Sequence, residues 1–206
     1  MPGYFEYALL TFGSLFAIVD PFAAIPAFLA MTATDTVAAR KRMALVACMT
    51  CGGVMALFAA LGPVIFKLFG ITMASFQIAG GLILLLSSLD MLRAKRSPLQ
   101  ETAEEMEAGV AKDDVAVTPL AIPMLSGPGA ISTAIVMAGK AHDAAHATLL
   151  YACIAGVAAA SYLILWGAAA GSKRLSPIAL NVITRLMGIL LAAIGVQFIL
   201  SGIKGA

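Results

Sequence analysis

The sequence contains little charge. Of its 206 residues only 12% are Asp, Glu, Lys or Arg, while 61% are hydrophobic. Soluble domains have about 25% charged and 45–50% apolar residues, so this scarcity excludes an ordinary soluble domain. The net charge is only +2, and no basic stretch alternates with aromatic residues, which excludes nucleic acid as a partner. The composition therefore predicts an integral membrane protein.

Other features are also scarce or missing. The three cysteines all lie in apolar runs, which argues against a secreted disulfide framework. No Lys or Arg precedes the first apolar run, so we expect the N-terminus to be retained rather than removed as a signal peptide. Because no Gly-x-x-x-x-Gly-Lys motif occurs, ATP is not expected to drive this chain. No cofactor is predicted, and His142 and His146 supply too few ligands to predict a metal site.

Long apolar segments are what the sequence has in abundance. About 20 consecutive apolar residues cross a bilayer as a helix, and six segments reach that length. We therefore predict an all-α integral membrane protein with a single transmembrane domain over residues 1–206. The six predicted spans are approximately residues 4–32, 43–66, 71–92, 116–139, 147–171 and 178–203.

The basic residues are distributed unevenly between the connectors. The first, third and fifth connectors hold nine Lys and Arg residues, whereas the opposite side holds three. Because Lys and Arg collect on the cytoplasmic side, these connectors, including the long loop at residues 93–115, are predicted to be cytoplasmic. Both termini would then lie outside, in the periplasm, and the protein would be a multi-pass component of a bacterial inner membrane.

The two halves of the chain resemble each other. Pro21 in "VDPFAAIPAF" aligns with Pro128 in "SGPGAISTAI" at an offset of 107, and Gly80 aligns with Gly188 at an offset of 108. A broken helix, a plain helix and a helix with a mid-span glycine thus occur twice in the same order. Three spans per unit invert the second copy, so we predict two inverted three-helix repeats, a common plan of secondary transporters. The repeats would be residues 1–92 and 116–206.

Prolines interrupt the first and fourth predicted spans. A proline inside a helix removes an amide donor and costs about 3 kcal/mol, so helices 1 and 4 are predicted to break near the midplane. The half-helices that follow would direct their N–H groups toward each other, and such N-termini bind carboxylates. Residues that flank the two breaks are therefore predicted to bind substrate: Asp20, Pro21, Phe22, Ser126, Gly127, Pro128, Gly129, Ala130, Ser132 and Thr133.

Asp20 places a carboxylate where a membrane makes it costly, at about 2.5 kcal/mol or more on insertion scales. It could pair with a substrate ammonium, ligate Na⁺ or carry a proton. Alternatively, it could only cap the helix that follows. A second pair of charges, Asp90 and Arg185, lies near the cytoplasmic ends of the third and sixth spans, and we predict that they form a structural or gating ion pair.

Four stretches together resemble the MarC family of six-span inner-membrane proteins, which is also described as a family of small neutral amino acid transporters. They are "FAIVDPFAAIPAFLAMT", "FQIAGGLILLLSSLDML", "PLAIPMLSGPGAISTAIVMA" and "TRLMGILLAAIGVQFILSGI". The resemblance covers nearly the whole chain and implies transport of glycine, alanine or similar solutes. The family often has asparagine before the first proline, whereas this chain has Asp20.

The sequence thus favours a secondary transporter of small neutral amino acids that works by alternating access, with H⁺ or Na⁺ as the coupling ion. The expected partners are the amino acid substrate and membrane lipids, and a homo-oligomer is left open. An enzyme is not expected, although "CMTC" keeps open a membrane thiol–disulfide relay through Cys48 and Cys51. The third alternative is a membrane assembly protein that does not transport.

Overall fold

The computed structural model describes residues 3–33, 35–93, 116–171 and 177–205, and within them the secondary structure is entirely helical. The predicted cytoplasmic loop at 93–115 lies outside the described residues except for Arg93. The helices are α1 (Tyr4–Val19), α2 (Pro21–Met31), α3 (Val37–Phe69), α4 (Met73–Leu92), α5 (Ala116–Leu125), α6 (Pro128–Gly139), α7 (Ala144–Gly171) and α8 (Pro177–Lys204).

Five helical segments of the described chain are long and apolar enough to cross a membrane, whereas the sequence predicted six. The difference lies in the fourth predicted span, where α5 and α6 are two shorter helices separated by Ser126 and Gly127. The all-helical membrane fold is confirmed. The five spanning segments are Tyr4–Leu29, Val37–Gly62, Met73–Leu92, Ala144–Ala170 and Arg185–Lys204.

Two helices are interrupted where the prolines predict it. The first apolar segment divides at Asp20 into α1 and α2, and the fourth divides at Ser126 and Gly127 into α5 and α6. α5 has π-helical hydrogen bonding, and the Ser126 N–H continues it by donating to the Ala121 carbonyl oxygen five residues earlier at 2.9 Å. Helix α3 packs against α5 and α6 of the second interrupted region, whereas α7 packs against α1 and α2 of the first, and α3 and α7 pack against each other.

Helices α4 and α8 form the closest helix pair of the described chain. A Cβ atom placed on Gly81 would lie 2.6 Å from the Gly195 carbonyl oxygen and 2.7 Å from Cγ1 of Ile199. Real Cβ atoms do not approach other atoms this closely, so only glycine fits at position 81. Small residues of this kind let membrane helices bring their backbones into contact.

The same close approach continues along the pair in both directions. A Cβ on Gly188 would lie 3.3 Å from the Ser88 carbonyl oxygen and 3.4 Å from Cγ of Leu92, and a Cβ on Gly202 would lie 2.7 Å from the Ala74 carbonyl oxygen. On α8 the contacting glycines repeat every seven residues, which keeps them on one face of a helix that packs along its partner. We call this line of contacts the glycine seam.

Candidate functional site

The first helix break is centred on Asp20. This residue adopts a left-handed backbone conformation, with φ 39° and ψ 67°, which Asp tolerates better than most residues. Its N–H donates to the Phe16 carbonyl oxygen at 3.0 Å and so ends α1. Its side-chain Oδ1 accepts from the Ala23 N–H at 3.3 Å and so caps α2, which begins with the buried Pro21. Asp20 therefore closes one helix and opens the next.

The second carboxylate oxygen of Asp20 has no partner. Asp20 is only 2% exposed, and within the described part of the chain no donor reaches its Oδ2 atom. A buried polar atom without a hydrogen bond is costly and requires an explanation. Capping thus uses one oxygen and leaves the other for a cation, a proton or a ligand ammonium.

The second break presents backbone amides instead of a charge. Gly127 is the N-cap residue of α6 without a side-chain cap, and Pro128 takes the first helical position, where its missing N–H is of no consequence. Among the described residues, the N–H groups of Gly129 and Ala130 have no hydrogen-bond acceptor. These two donors, with the positive end of the α6 dipole, form an N-terminus of the type that binds carboxylates.

The hydroxyl groups near the second break are largely committed to the backbone. Ser126 Oγ donates to the Ala121 carbonyl oxygen at 2.7 Å, and Thr133 Oγ1 donates to the Gly129 carbonyl oxygen at 2.9 Å. Both residues are buried. They stabilise the interrupted helices, and their hydroxyl protons are not directed at a ligand. Ser132 is also buried but lies beside α4, 3.2 Å from where a Cβ on Gly80 would be.

The two breaks lie close together. A Cβ on Gly129 would be 3.4 Å from Cγ2 of Ile18, two residues before Asp20, and 2.9 Å from Cδ2 of Leu84 on α4. A small cavity of about 10 Å³ lies here, roughly enough for one water molecule. Its lining combines four residues of the second break with residues of α1, α4, α5 and α8: Gly127, Pro128, Gly129, Ala130, Ile18, Ile83, Leu84, Ser87, Met124 and Leu191.

The cavity includes only part of the predicted site. Asp20, Pro21 and Phe22 do not line it, although Ile18 brings the first break to its wall. Phe22 is half-buried and packs edge-to-face on Phe16, with 6.3 Å between the ring centroids. The sequence analysis missed the residues that α4 and α8 contribute, among them the buried Ser87. The only signal for Ser87 was its place in the "SSLD" stretch of an otherwise apolar span.

The predicted ion pair between Asp90 and Arg185 is not formed in this structure. In the described residues, the only acidic and basic side chains within 4.0 Å of each other are Asp143 and His146. Arg185 is exposed on α8 and Asp90 is half-buried on α4. Equal depth on two packed helices was the basis of the prediction, but depth does not determine which way the two side chains face.

Cys48 and Cys51 lie in the core on α3, three residues apart and on one face of the helix. They are 1% and 2% exposed, and neither is in a disulfide. Buried structural cysteines are inert, so maleimide should label the folded protein at less than about a tenth of the rate seen in denaturing detergent. A mobility shift that is reversed by dithiothreitol and abolished in Cys48→Ser would contradict this expectation and favour the thiol–disulfide relay.

The chain matches the family described as "MarC family integral membrane protein" over residues 5–206. It is 36% identical over 201 residues to a UPF0056 membrane protein of Methanocaldococcus jannaschii, with 98% of each chain covered. It is 35% identical over 204 residues to the UPF0056 membrane protein YhcE of Escherichia coli, covering 99% of this chain and 93% of YhcE. Identity to the UPF0056 membrane protein YvbG of Bacillus subtilis is 36% over 202 residues, covering 98% of this chain and 96% of YvbG. No solved structure matches the chain.

Proposed function

This chain belongs to the MarC family of multi-pass integral membrane proteins, and we propose that it is a secondary transporter of small neutral amino acids. The observation that carries the proposal is the contact between two helix breaks, where Gly129 lies against Ile18. One break supplies unpaired amides and the other an unpaired carboxylate oxygen. Glycine and alanine carry one carboxylate, one ammonium and almost no side chain, and each charged end has a complementary group here.

The substrate carboxylate binds the N–H groups of Gly129 and Ala130 at the start of α6, and the substrate ammonium or a coupling cation binds Oδ2 of Asp20. Helix N-termini are used in this way in transporters with discontinuous helices. The residues that surround the proposed binding site would select substrates with small side chains. Gly129 has no Cβ, and Ile18 and Leu84 lie directly opposite it.

An inverted repeat accounts for the glycine seam. Gly81 contacts two residues of α8, Gly188 contacts three residues of α4, and one shift of 107 positions relates the two glycines and two partners of each. The related partners are Gly195 and Ile199 for Gly81, and Ser88 and Leu92 for Gly188, whose third neighbour is Met91. Pro21 and Pro128 are related by the same shift. We therefore propose six spans in two inverted repeats, related by 107 positions throughout rather than by 108 in the third helix.

In this proposal the described conformation is closed. A cavity of about 10 Å³ does not admit an amino acid, so Leu84 and Ile18 have to move away from Gly129 before substrate enters. Alternating access would move the interrupted helices against the α4–α8 pair, first toward one side of the membrane and then toward the other. We further propose an inner-membrane location with both termini outside, because Lys and Arg collect in the odd-numbered connectors.

Uptake by the purified full-length protein in proteoliposomes tests the proposal. Labelled glycine and alanine should accumulate above protein-free liposomes when an H⁺ or Na⁺ gradient is imposed, whereas labelled leucine should not. Omitting each gradient in turn identifies the coupling ion. Absence of both uptake and exchange under every gradient would contradict transport and favour the assembly protein.

Gly129 provides a test at the level of one residue. Gly129→Leu is expected to lower glycine uptake more than about tenfold, because its side chain fills the cavity against Leu84 and Ile18. Gly129→Ala should retain part of the activity, since its methyl group would crowd the movable end of Leu84 and make only an ordinary van der Waals contact with Ile18. Gly53→Leu on α3 is the matched control, because nothing lies within 4 Å of a Cβ at that position. Equal uptake in all three variants, each shown to be folded, would place the site elsewhere.

A further inference from the structure

A groove runs along the outside of the helix bundle between α1 and α8. It consists of two adjoining cavities of about 520 and 400 Å³, which share the residues Leu10, Ser14, Ile194 and Gln197. The larger cavity reaches Tyr7, Lys140 and His142, and the smaller one reaches Ala17 and Leu190. The groove is separate from the small cavity at the helix breaks.

The length of the groove corresponds to one leaflet of a bilayer. Ten residues of α1 separate Tyr7 from Ala17, which is about 15 Å of helix, half of a hydrocarbon core of about 30 Å. The deep end lies three residues before the break at Asp20, and the shallow end lies where α6 stops at Gly139.

The walls of the groove are apolar and exposed. Leu9, Leu10 and Leu190 are 63%, 53% and 53% exposed, and they face the bilayer in a membrane-embedded chain. Gly13 lies in the α1 wall of the groove with nothing within 4 Å of a Cβ position, so there is room here beside the α1 backbone. A hydrocarbon chain fits these walls, whereas a soluble solute would gain nothing from them.

The shallow end carries a positive charge without a nearby counter-charge. Lys140 is half-buried, its ammonium is 5.7 Å from the centroid of the Phe198 ring, and within the described chain it forms no salt bridge. Burial lowers the pKa of the Lys140 ammonium, because the charged form loses solvation that no acidic side chain within 4.0 Å replaces in the described chain. An anion beside it would.

The nearest carboxylate in sequence, Asp143, is occupied elsewhere. Its Oδ1 accepts from the His146 N–H at 2.8 Å and lies 2.9 Å from His146 Nδ1, while its Oδ2 accepts from the Tyr4 hydroxyl at 3.2 Å. These hydrogen bonds lower the pKa of Asp143, so the carboxylate stays ionised on the side of α1 and α7. The groove therefore keeps a basic end, formed by Lys140 with His142 beside it.

We propose that this groove binds an anionic phospholipid, with one acyl chain between α1 and α8 and the phosphate beside Lys140. Three observations together support this proposal: the groove is apolar and faces the bilayer, its length corresponds to one leaflet, and a basic group lies at its shallow end. The ligand is a lipid rather than a soluble phosphate because most of the groove is hydrocarbon surface. We favour a lipid over a second copy of this protein, because a second copy would have to place an acidic side chain beside Lys140 at the shallow end of the groove.

Native mass spectrometry of the full-length protein with phosphatidylglycerol or phosphatidylcholine tests this proposal. The wild type should prefer phosphatidylglycerol by about fivefold, the contribution expected of one basic residue near a membrane surface. Lys140→Gln should abolish the preference and Lys140→Arg should restore it. Lys67→Gln removes the same charge from the end of α3 and is the matched control, which should behave as the wild type.

Filling the groove should remove binding of both lipids. Gly13→Leu and Ala193→Leu narrow it from opposite walls, and loss of lipid adducts in either folded variant supports the proposal. Unchanged adducts in both, or an unchanged preference in Lys140→Gln, would overturn it. Displacement of phosphatidylglycerol by glycerol 3-phosphate would overturn it in favour of a soluble anion. A wild-type dimer that Gly13→Leu converts to a monomer, without lipid adducts, would overturn it in favour of a second copy.

Discussion

Replacing Asp20 by asparagine is expected to lower glycine uptake about a hundredfold or more, while the melting temperature stays close to that of the wild type. Asparagine keeps the Oδ1 acceptor for the Ala23 N–H and also tolerates the left-handed conformation at this position. What it loses is the negative charge at Oδ2, which has no other partner in the described chain. Removing one member of a buried charge pair costs about 3–5 kcal/mol, which corresponds to a loss of this size.

Comparing Asp20→Ala with Asp20→Asn separates the effect of the carboxylate charge on uptake from the effect of the helix cap on stability. The alanine variant should lose uptake to the same extent, and it should also unfold at a lower temperature, because the cap contributes about 1 kcal/mol and alanine disfavours the left-handed conformation by about 1–2 kcal/mol. Asp35→Asn removes the same charge from the connector after α2 and serves as the control. Wild-type uptake in Asp20→Asn would restrict Asp20 to capping.

A leucine at position 81 is expected to give the largest loss of stability. Its Cβ would overlap the Gly195 carbonyl oxygen and come within 3.1 Å of the Ile199 backbone nitrogen, and backbone atoms cannot move aside as a side chain can. Overpacking typically costs about 1–3 kcal/mol, and a contact with backbone belongs at the upper end. For a chain of this length we expect the melting temperature in detergent to fall by about 6 °C or more.

The control for this variant is Gly167→Leu on α7, where the glycine is exposed and nothing lies within 4 Å of a Cβ. It adds the same side chain to a membrane-facing surface and should leave the melting temperature unchanged. Melting curves are measured by the change in tryptophan fluorescence of the single Trp166 or by scattering. A Gly81→Leu protein as stable as the wild type would mean that α4 and α8 are farther apart than described here.

The two helix breaks were predictable because their cause is local. A proline removes a backbone donor wherever it stands, and the sequences "VDPF" and "SGPG" bring the compensating residues with them, Asp20 as a cap and Gly127 as a flexible junction. The capping alternative for Asp20 was also left open correctly, since its side chain does accept a hydrogen bond at the start of α2.

The contacts between helices were much less predictable. In so apolar a chain nearly every residue is compatible with either lipid or core, so composition does not show which face of a helix packs. The sequence alignment of the two halves paired Gly80 with Gly188, but the seam uses Gly81. No sequence prediction included Gly195 and Gly202, although they continue the seven-residue repeat of Gly188. The Asp90–Arg185 prediction failed for the same reason, because it used depth along the helices and no information about rotation.

The glycine seam divides the protein into a stiff part and a yielding part. Helices whose backbones touch at several points along their length cannot slide or rotate past each other without losing all of those contacts together. We therefore expect α4 and α8 to move as one rigid body. By contrast, the contacts of Gly129 are with the side chains of Leu84 and Ile18, which can change rotamer at a small cost in free energy. In the proposed transport cycle, the movement would therefore occur where Gly129 meets Leu84 and Ile18, while the α4–α8 pair would stay fixed.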